Sequence, residues 1–127
     1  MDENAISNLV IGAALEVQKE LGGPGLLEDI YEEALFRELS ARQLRVQRQH
    51  AVKVHYKGQE LRKRLVLDLL VENKVVVEIK ATEKHNTIFE AQLLTYLRVS
   101  SMRLGLLINF GERHVAKNVR RVVNGLV

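Results

Sequence analysis

Apolar residues recur along this chain with two different periods. Over residues 4–21 they fall at Ile6, Leu9, Val10, Ala13, Ala14, Val17 and Leu21. That is the three-and-four spacing of one helix face, and Gly22-Gly23-Pro24-Gly25 ends it. A second helix is predicted over about 26–42, with the stripe Leu27, Ile30, Tyr31, Ala34, Leu35 and Leu39. From Leu44 the chain turns strand-like: Val46, Val52, Val54 and Tyr56 are strand formers, broken by a turn at Lys57-Gly58. Further strands are predicted over about 60–71 and about 75–81, joined by Glu72-Asn73-Lys74, where Asn73 suits a left-handed turn residue. Thr87 with Glu90 three residues on reads as a capping box opening a helix that runs to about Val99. Leu104–Phe110 is an unbroken apolar run, as in a buried strand. Residues 115–123 alternate loosely and read as a strand, with a helix as the rival.

The predicted order is α-α-β-β-β-α-β-β, an α/β class. Three consecutive strands joined by short turns form an antiparallel meander, and the strand–helix–strand step over 75–110 is a right-handed parallel crossover. The expected product is a mixed sheet with helices on its faces, in one domain spanning residues 1–127.

Charge interrupts this pattern where it is least welcome. The stretches Leu65–Val71 and Val75–Ala81 are apolar on both faces, as in central covered strands, except for Asp68, Glu78 and Lys80. Alternation places Val66, Asp68 and Leu70 on one face, and Val76, Glu78 and Lys80 on one face. A three-residue loop sets Val71 opposite Val75, and counting back puts Asp68 opposite Glu78 and Val66 opposite Lys80. Opposed side chains have Cβ atoms roughly 4.5–5.5 Å apart, and like charges placed so are destabilising. A divalent cation justifies the arrangement, since Mg²⁺ takes one or two carboxylates together with waters and phosphate oxygens. Lys80 on the same face can orient a water or stabilise charge on a phosphate. The plain alternative is a salt bridge between Lys80 and one of the carboxylates.

Three positions stand near this set. Gln92 and Tyr96 lie one turn apart on the helix after the second charged strand; either polar flank and core packing or substrate contact accounts for them. Glu28 sits near the start of the second helix, where it serves as a dipole partner or as a third carboxylate. Glu32 and Glu33 read as solvent-exposed.

Composition narrows the partners. The chain has 127 residues, no cysteine and a net charge of +3, which excludes a disulfide scaffold and a thiolate metal site. The four histidines, His50, His55, His85 and His114, show no paired ligand spacing, and no phosphate-binding or dinucleotide-binding glycine motif is present. No small organic cofactor is expected. No run approaches the roughly 20 apolar residues of a membrane span, and the acidic start Met1-Asp2-Glu3-Asn4 lacks the basic region of a signal peptide; a cytoplasmic location is expected. Residues 1–38 carry nine acids and two bases, residues 41–64 eight bases and one acid, and residues 98–127 six bases and one acid. Two basic zones suit a polyanion, or are simply solvated faces. Arg62, Arg64 and Arg98, with Tyr96, are the candidate nucleic-acid contacts.

These residues resemble a known family. Gly25-Leu26-Leu27-Glu28-Asp29-Ile30-Tyr31 looks like the signature of the GxxExxY proteins. Asp68–Glu72, Val77–Ala81, Ala91–Leu97 and Gly105–Gly111 follow in that family's order. The GxxExxY proteins are similar to the PD-(D/E)XK nuclease superfamily. The resemblance implies a restriction-endonuclease-like core of four mixed strands flanked by helices, and Mg²⁺-dependent phosphodiester hydrolysis, with Mn²⁺ as a substitute. By the same resemblance Asp68 and Glu78 are metal ligands, joined by the Ile79 carbonyl; Lys80 is the catalytic lysine; Glu28 is the acid of the preceding helix; and Gln92 with Tyr96 is the Gln-x-x-x-Tyr element of RecB-type nuclease domains. Leu67 stands where the motif's proline would. The superfamily also holds members that bind without cutting. A catalytically silent nucleic-acid-binding module, or an assembly subunit on a nuclease-like scaffold that forms a homo- or hetero-oligomer, are therefore the competing expectations, and a homo-oligomer is among the expected partners.

Overall fold

A computed structural model describes residues 1–126. Helix α1 (Glu3–Leu21) begins where the Asp2 carboxylate accepts the Ala5 N–H at 2.8 Å and ends at Gly22, whose φ of 86° is left-handed. Helix α2 (Glu28–Ala41) follows. Strand β1 (Val46–Val52) leads into a two-stranded ribbon, β2 (His55–Tyr56) and β3 (Gln59–Glu60), before β4 (Leu65–Val71) and β5 (Val75–Lys80). Helix α3 (Ile88–Ser100), β6 (Leu104–Asn109), a 3₁₀ turn over Val115–Asn118 and β7 (Val119–Val123) complete the described chain.

The five long strands form one mixed sheet in the order β1-β4-β5-β6-β7. Pairing is antiparallel except between β5 and β6, which are parallel across the α3 crossover. β4 and β5, the two strands apolar on both faces, are indeed internal. One side of the sheet packs Leu69, Val71, Val77, Ile79 and Leu106 against Ile6, Val10 and Val17 of α1 and Leu35 and Leu39 of α2. The other packs Leu67, Leu70, Val76 and Leu107 against Leu93 and Leu97 of α3. Each such side chain, fully buried, contributes on the order of 1.5–3 kcal/mol. Helix α3 comes close because Gly105 has no Cβ: one placed there meets the Leu93 side chain at 2.9 Å.

Four expectations need correction. The turn at Lys57-Gly58 exists, with both residues at positive φ, but it closes only the short ribbon, because β1 ends at Val52 and β4 starts at Leu65. Residues 115–123 are part 3₁₀ turn and part strand. Thr87 makes no capping bond; the Asn86 side chain accepts the Ile88 N–H at 3.0 Å instead, and Glu90 is engaged by His85 at 2.7 Å. Glu32 is buried, not exposed: its two oxygens accept from Arg48 Nε at 2.7 Å and Gln49 Nε2 at 2.8 Å. No helix is long and apolar enough to cross a membrane among the described residues.

Candidate active site

The β4–β5 hairpin turns through Glu72 and Asn73, both left-handed, with the Lys74 N–H bonded to the Val71 carbonyl at 3.0 Å. The strain at Glu72 is offset by two bonds to the Arg45 backbone. The hairpin pairs Val71 with Val75, Leu70 with Val76 and Leu69 with Val77, and there the ladder stops. One step further, Asp68 and Glu78 hold the strands apart. The Asp68 N–H donates to Glu78 Oε1 at 3.1 Å, and Asp68 Oδ2 accepts the Ile79 N–H at 2.8 Å. Each carboxylate thus replaces a ladder bond of the opposite strand and retains a second oxygen, Asp68 Oδ1 and Glu78 Oε2, without a protein hydrogen bond among the described residues.

The same level is disturbed on the other side of β4. The β1–β4 register runs on either side of Gln49 and Asp68 but skips that pair, and Gln49 has φ of 52°. Leu67 and Leu69, two residues apart, consequently pack on opposite faces of the sheet, where a regular strand would keep them on one. Strict alternation therefore fails at Asp68. Val66 pairs with Ala51 and is exposed, and does not face Lys80.

Glu78 is buried at 7% exposure. Burial first, and the Asp68 carboxylate second, push its carboxyl up to about 8, with Lys80 and the Asp68 N–H opposing. Lys80 shares the α3 side of β5 with Glu78 and Val76, and its Nζ sits 4.7 Å from the centre of the Phe89 ring. Phe89 is a participant that the sequence patterning does not single out, since it also reads as helix core.

Glu28 opens α2 and is exposed. Its carboxyl is nevertheless raised by partial desolvation and by Asp68, with Lys80 lowering it. Tyr31 sets this helix start: its hydroxyl donates to the Gly23 carbonyl at 2.8 Å and accepts the Leu26 N–H at 3.1 Å, while its ring stacks on Phe110 at 4.8 Å. The exit of β5 is held by Asn109, buried at 1%, whose amide oxygen accepts from Thr82 and Gly111 and whose nitrogen donates to Thr82. Gly111 is needed there, because a Cβ would lie 2.2 Å from the Thr82 carbonyl oxygen. A cleft of about 380 Å³ lined by Pro24, Gly25, Leu26, Ala81, Glu83 and Gly111 runs between these two loops. A larger one of about 500 Å³, bordered by Arg45 and Asn73, lies at the hairpin end of the sheet, away from the carboxylates.

The remaining candidates are placed unequally. Tyr96 is half-buried on the α3 side, its phenol raised by burial and then by Glu78 and Asp68. Gln92 lies on the same helix stripe, between Phe89 and Tyr96 by spacing, and is exposed, its side chain making no hydrogen bond to another described residue. Arg62 and Arg64 are exposed in the segment just before β4, and Arg98 is exposed toward the far end of α3. Much of the basic character is neutralised: Arg42, Arg45, Arg48 and Lys53 pair with Glu38, Glu72, Glu32 and Glu60. Among the described residues no group of three or more His, Cys, Asp or Glu is gathered to hold a metal. Glu28 therefore does not join Asp68 and Glu78 in a three-carboxylate cluster.

The chain is similar to known proteins at two levels. The family model of the PD-(D/E)XK nuclease superfamily matches residues 4–122, the whole of the site included. Among solved structures, that of SSO0001 is similar, with a TM-score of 0.58 at 15% identity over 96% of this chain and 79% of that one; at such identity the likeness is one of fold. No curated protein matches.

Proposed function

The chain belongs to the PD-(D/E)XK nuclease superfamily, and on that premise we propose that it is a metal-dependent nuclease hydrolysing phosphodiester bonds of nucleic acid, DNA foremost. The observation that carries the reading is the crossed pair Asp68–Glu78, two carboxylates that splay the centre of a sheet. Pairing charges of one sign in a buried strand gap costs stability, and a divalent cation is the partner that offsets the cost. The donor set fits Mg²⁺ or Mn²⁺: hard oxygens, Asp68 Oδ1 and Glu78 Oε2 left without hydrogen bonds, and the Ile79 carbonyl as a further ligand. Few protein ligands suit an ion that keeps several waters and takes phosphate oxygens. When bound, such an ion polarises a phosphoryl oxygen and supplies an acidic water.

The protein's own groups do the rest. Lys80, held over Phe89 at the open end of the splay, donates to the attacking water or to a non-bridging phosphate oxygen, whose charge grows as the bond to phosphorus forms. Glu28, with its carboxyl raised by its surroundings, reaches the site through water and accepts that water's proton. Gln92 offers an amide free to hold a water or a phosphate, and Tyr96 walls the α3 side. Arg62 and Arg64 bind the backbone; Arg98 is a peripheral contact. Within the superfamily we assign the chain to the GxxExxY proteins. The bonds from Tyr31 to Gly23 and Leu26 support this, because they give the tyrosine of that signature a physical role in presenting Glu28.

The test is cleavage of labelled DNA and RNA, single- and double-stranded, with Mg²⁺, Mn²⁺ or chelator. Cation-dependent cleavage lost in Lys80→Met and Glu78→Gln, both folded, is expected. Cleavage equal in the variants, or none on any substrate, would sink the reading.

A further inference from the structure

Residues 53–64 contribute nothing to either core cluster. They leave the sheet after the Val52–Leu65 pair and form the β2–β3 ribbon, where His55 pairs with Glu60 and Tyr56 with Gln59. A ribbon of two residues per strand has no core of its own and is marginal in isolation. It is fastened by the Leu61 N–H to the Val54 carbonyl at 2.8 Å and by a Lys53–Glu60 ion pair at 3.7 Å. Its tip is a left-handed turn, Lys57 at φ 50° and Gly58 at φ 79°.

The ribbon displays an exposed aromatic ring among exposed cations. Tyr56 is 62% exposed, with Lys57 Nζ 5.5 Å from its ring centre. Arg62, Lys63 and Arg64 follow, exposed and without ion pairs among the described residues. Glu60, the one acid here, is taken by Lys53. The position is also telling. The ribbon springs from the end of β4 that carries Asp68, three residues beyond Leu65, or about 10 Å along a strand. Its base is thus at the open end of the splay, the end of β5 that carries Lys80.

We infer that this ribbon is a nucleic-acid arm, in which Tyr56 stacks on an unpaired base while Lys57 and Arg62–Arg64 hold the flanking phosphates, so that the protein engages single strands or frayed ends. An exposed ring beside cations fits such a strand because every base has a face to stack on, whereas a paired base hides its face in the duplex. The inference rests on the nuclease reading only for delivering that strand to Asp68 and Glu78; the binding itself does not need the metal.

The experiment is therefore binding in chelator, of short labelled single-stranded DNA, single-stranded RNA and the matching DNA duplex, to the wild type, Tyr56→Ala and Tyr56→Phe. Tyr56 touches no core, so these variants fold. Tyr56→Ala is expected to weaken single-strand binding about tenfold with duplex binding unchanged, and Tyr56→Phe to bind as the wild type does. An equal loss on duplex and single strand, no loss in Tyr56→Ala, or no single-strand binding by the wild type would overturn the inference. Stacking without any cation-dependent cleavage would leave the arm and remove the nuclease; cleavage that survives in Tyr56→Ala with unaltered binding would do the reverse.

Discussion

Asp68 and Glu78 each complete the other's strand: Asp68 Oδ2 receives the Ile79 N–H and Glu78 Oε1 receives the Asp68 N–H. The two acids are therefore both the cause of the gap in the sheet and the means of closing its hydrogen bonds. Without a cation, burial and then the facing Asp68 carboxylate favour the protonated form of Glu78.

This has a pH signature. The Glu78 carboxyl, ordinarily near 4.5, is pushed up to about 8 in the fold. A folded value above the unfolded one means that the stabilisation is complete below about 4.5 and is lost as pH rises through about 8. The melting temperature of the metal-free protein should fall across that window relative to Glu78→Gln. Added Mg²⁺ or Mn²⁺ should restore it most at the alkaline end, because the cation takes over from the proton. A pH profile parallel to that of Glu78→Gln would contradict the assignment.

Glu78→Gln should keep an acceptor for the Asp68 N–H while removing the buried charge. Above about pH 8 the metal-free variant should be more stable than the wild type, by on the order of a few kcal/mol, yet bind divalent cation at least tenfold more weakly. Thermal denaturation and cation titration check the two halves separately.

Lys80→Met removes the ammonium and keeps an unbranched side chain over Phe89. Turnover should fall about 10²–10³-fold, with melting temperature little changed and cation binding retained. A loss confined to KM would reassign Lys80 to substrate binding.

Tyr31→Phe keeps the stack on Phe110 but frees Gly23 and Leu26. A cost of about 1–2 kcal/mol in unfolding free energy is expected. If the loop presents Glu28, kcat should fall as well, and Glu28→Gln should add little to it in the double variant.

How far the site can be read from the sequence depends on whether regular strands are a fair assumption. The Val71–Val75 register follows from loop length, and it brings Asp68 and Glu78 together as they are in the fold. The same counting assumes an unbroken ladder, so it places Val66 against Lys80 and misses the splay. A second irregularity at the same level, the left-handed Gln49 where the β1–β4 register skips Asp68, has no local signal, since glutamine is an ordinary strand-exterior residue. Glu32 defeats periodicity for a similar reason: its partners Arg48 and Gln49 lie sixteen and seventeen residues away, on another element. Burial of a carboxylate is decided by partners that helix periodicity does not see. The 53–64 ribbon reads as the ends of two long strands because its residues have strand propensity; that they stand off the sheet is a matter of where the β1–β4 pairing stops.

Everything proposed for this site requires that the crossed carboxylates hold a divalent cation. The most direct test is Mn²⁺ titration by calorimetry on the wild type and Asp68→Ala, each alone and with a short DNA present to complete the coordination. Binding by the wild type that Asp68→Ala abolishes is the predicted result. No binding by the wild type in either condition, or equal binding by both proteins, would contradict it.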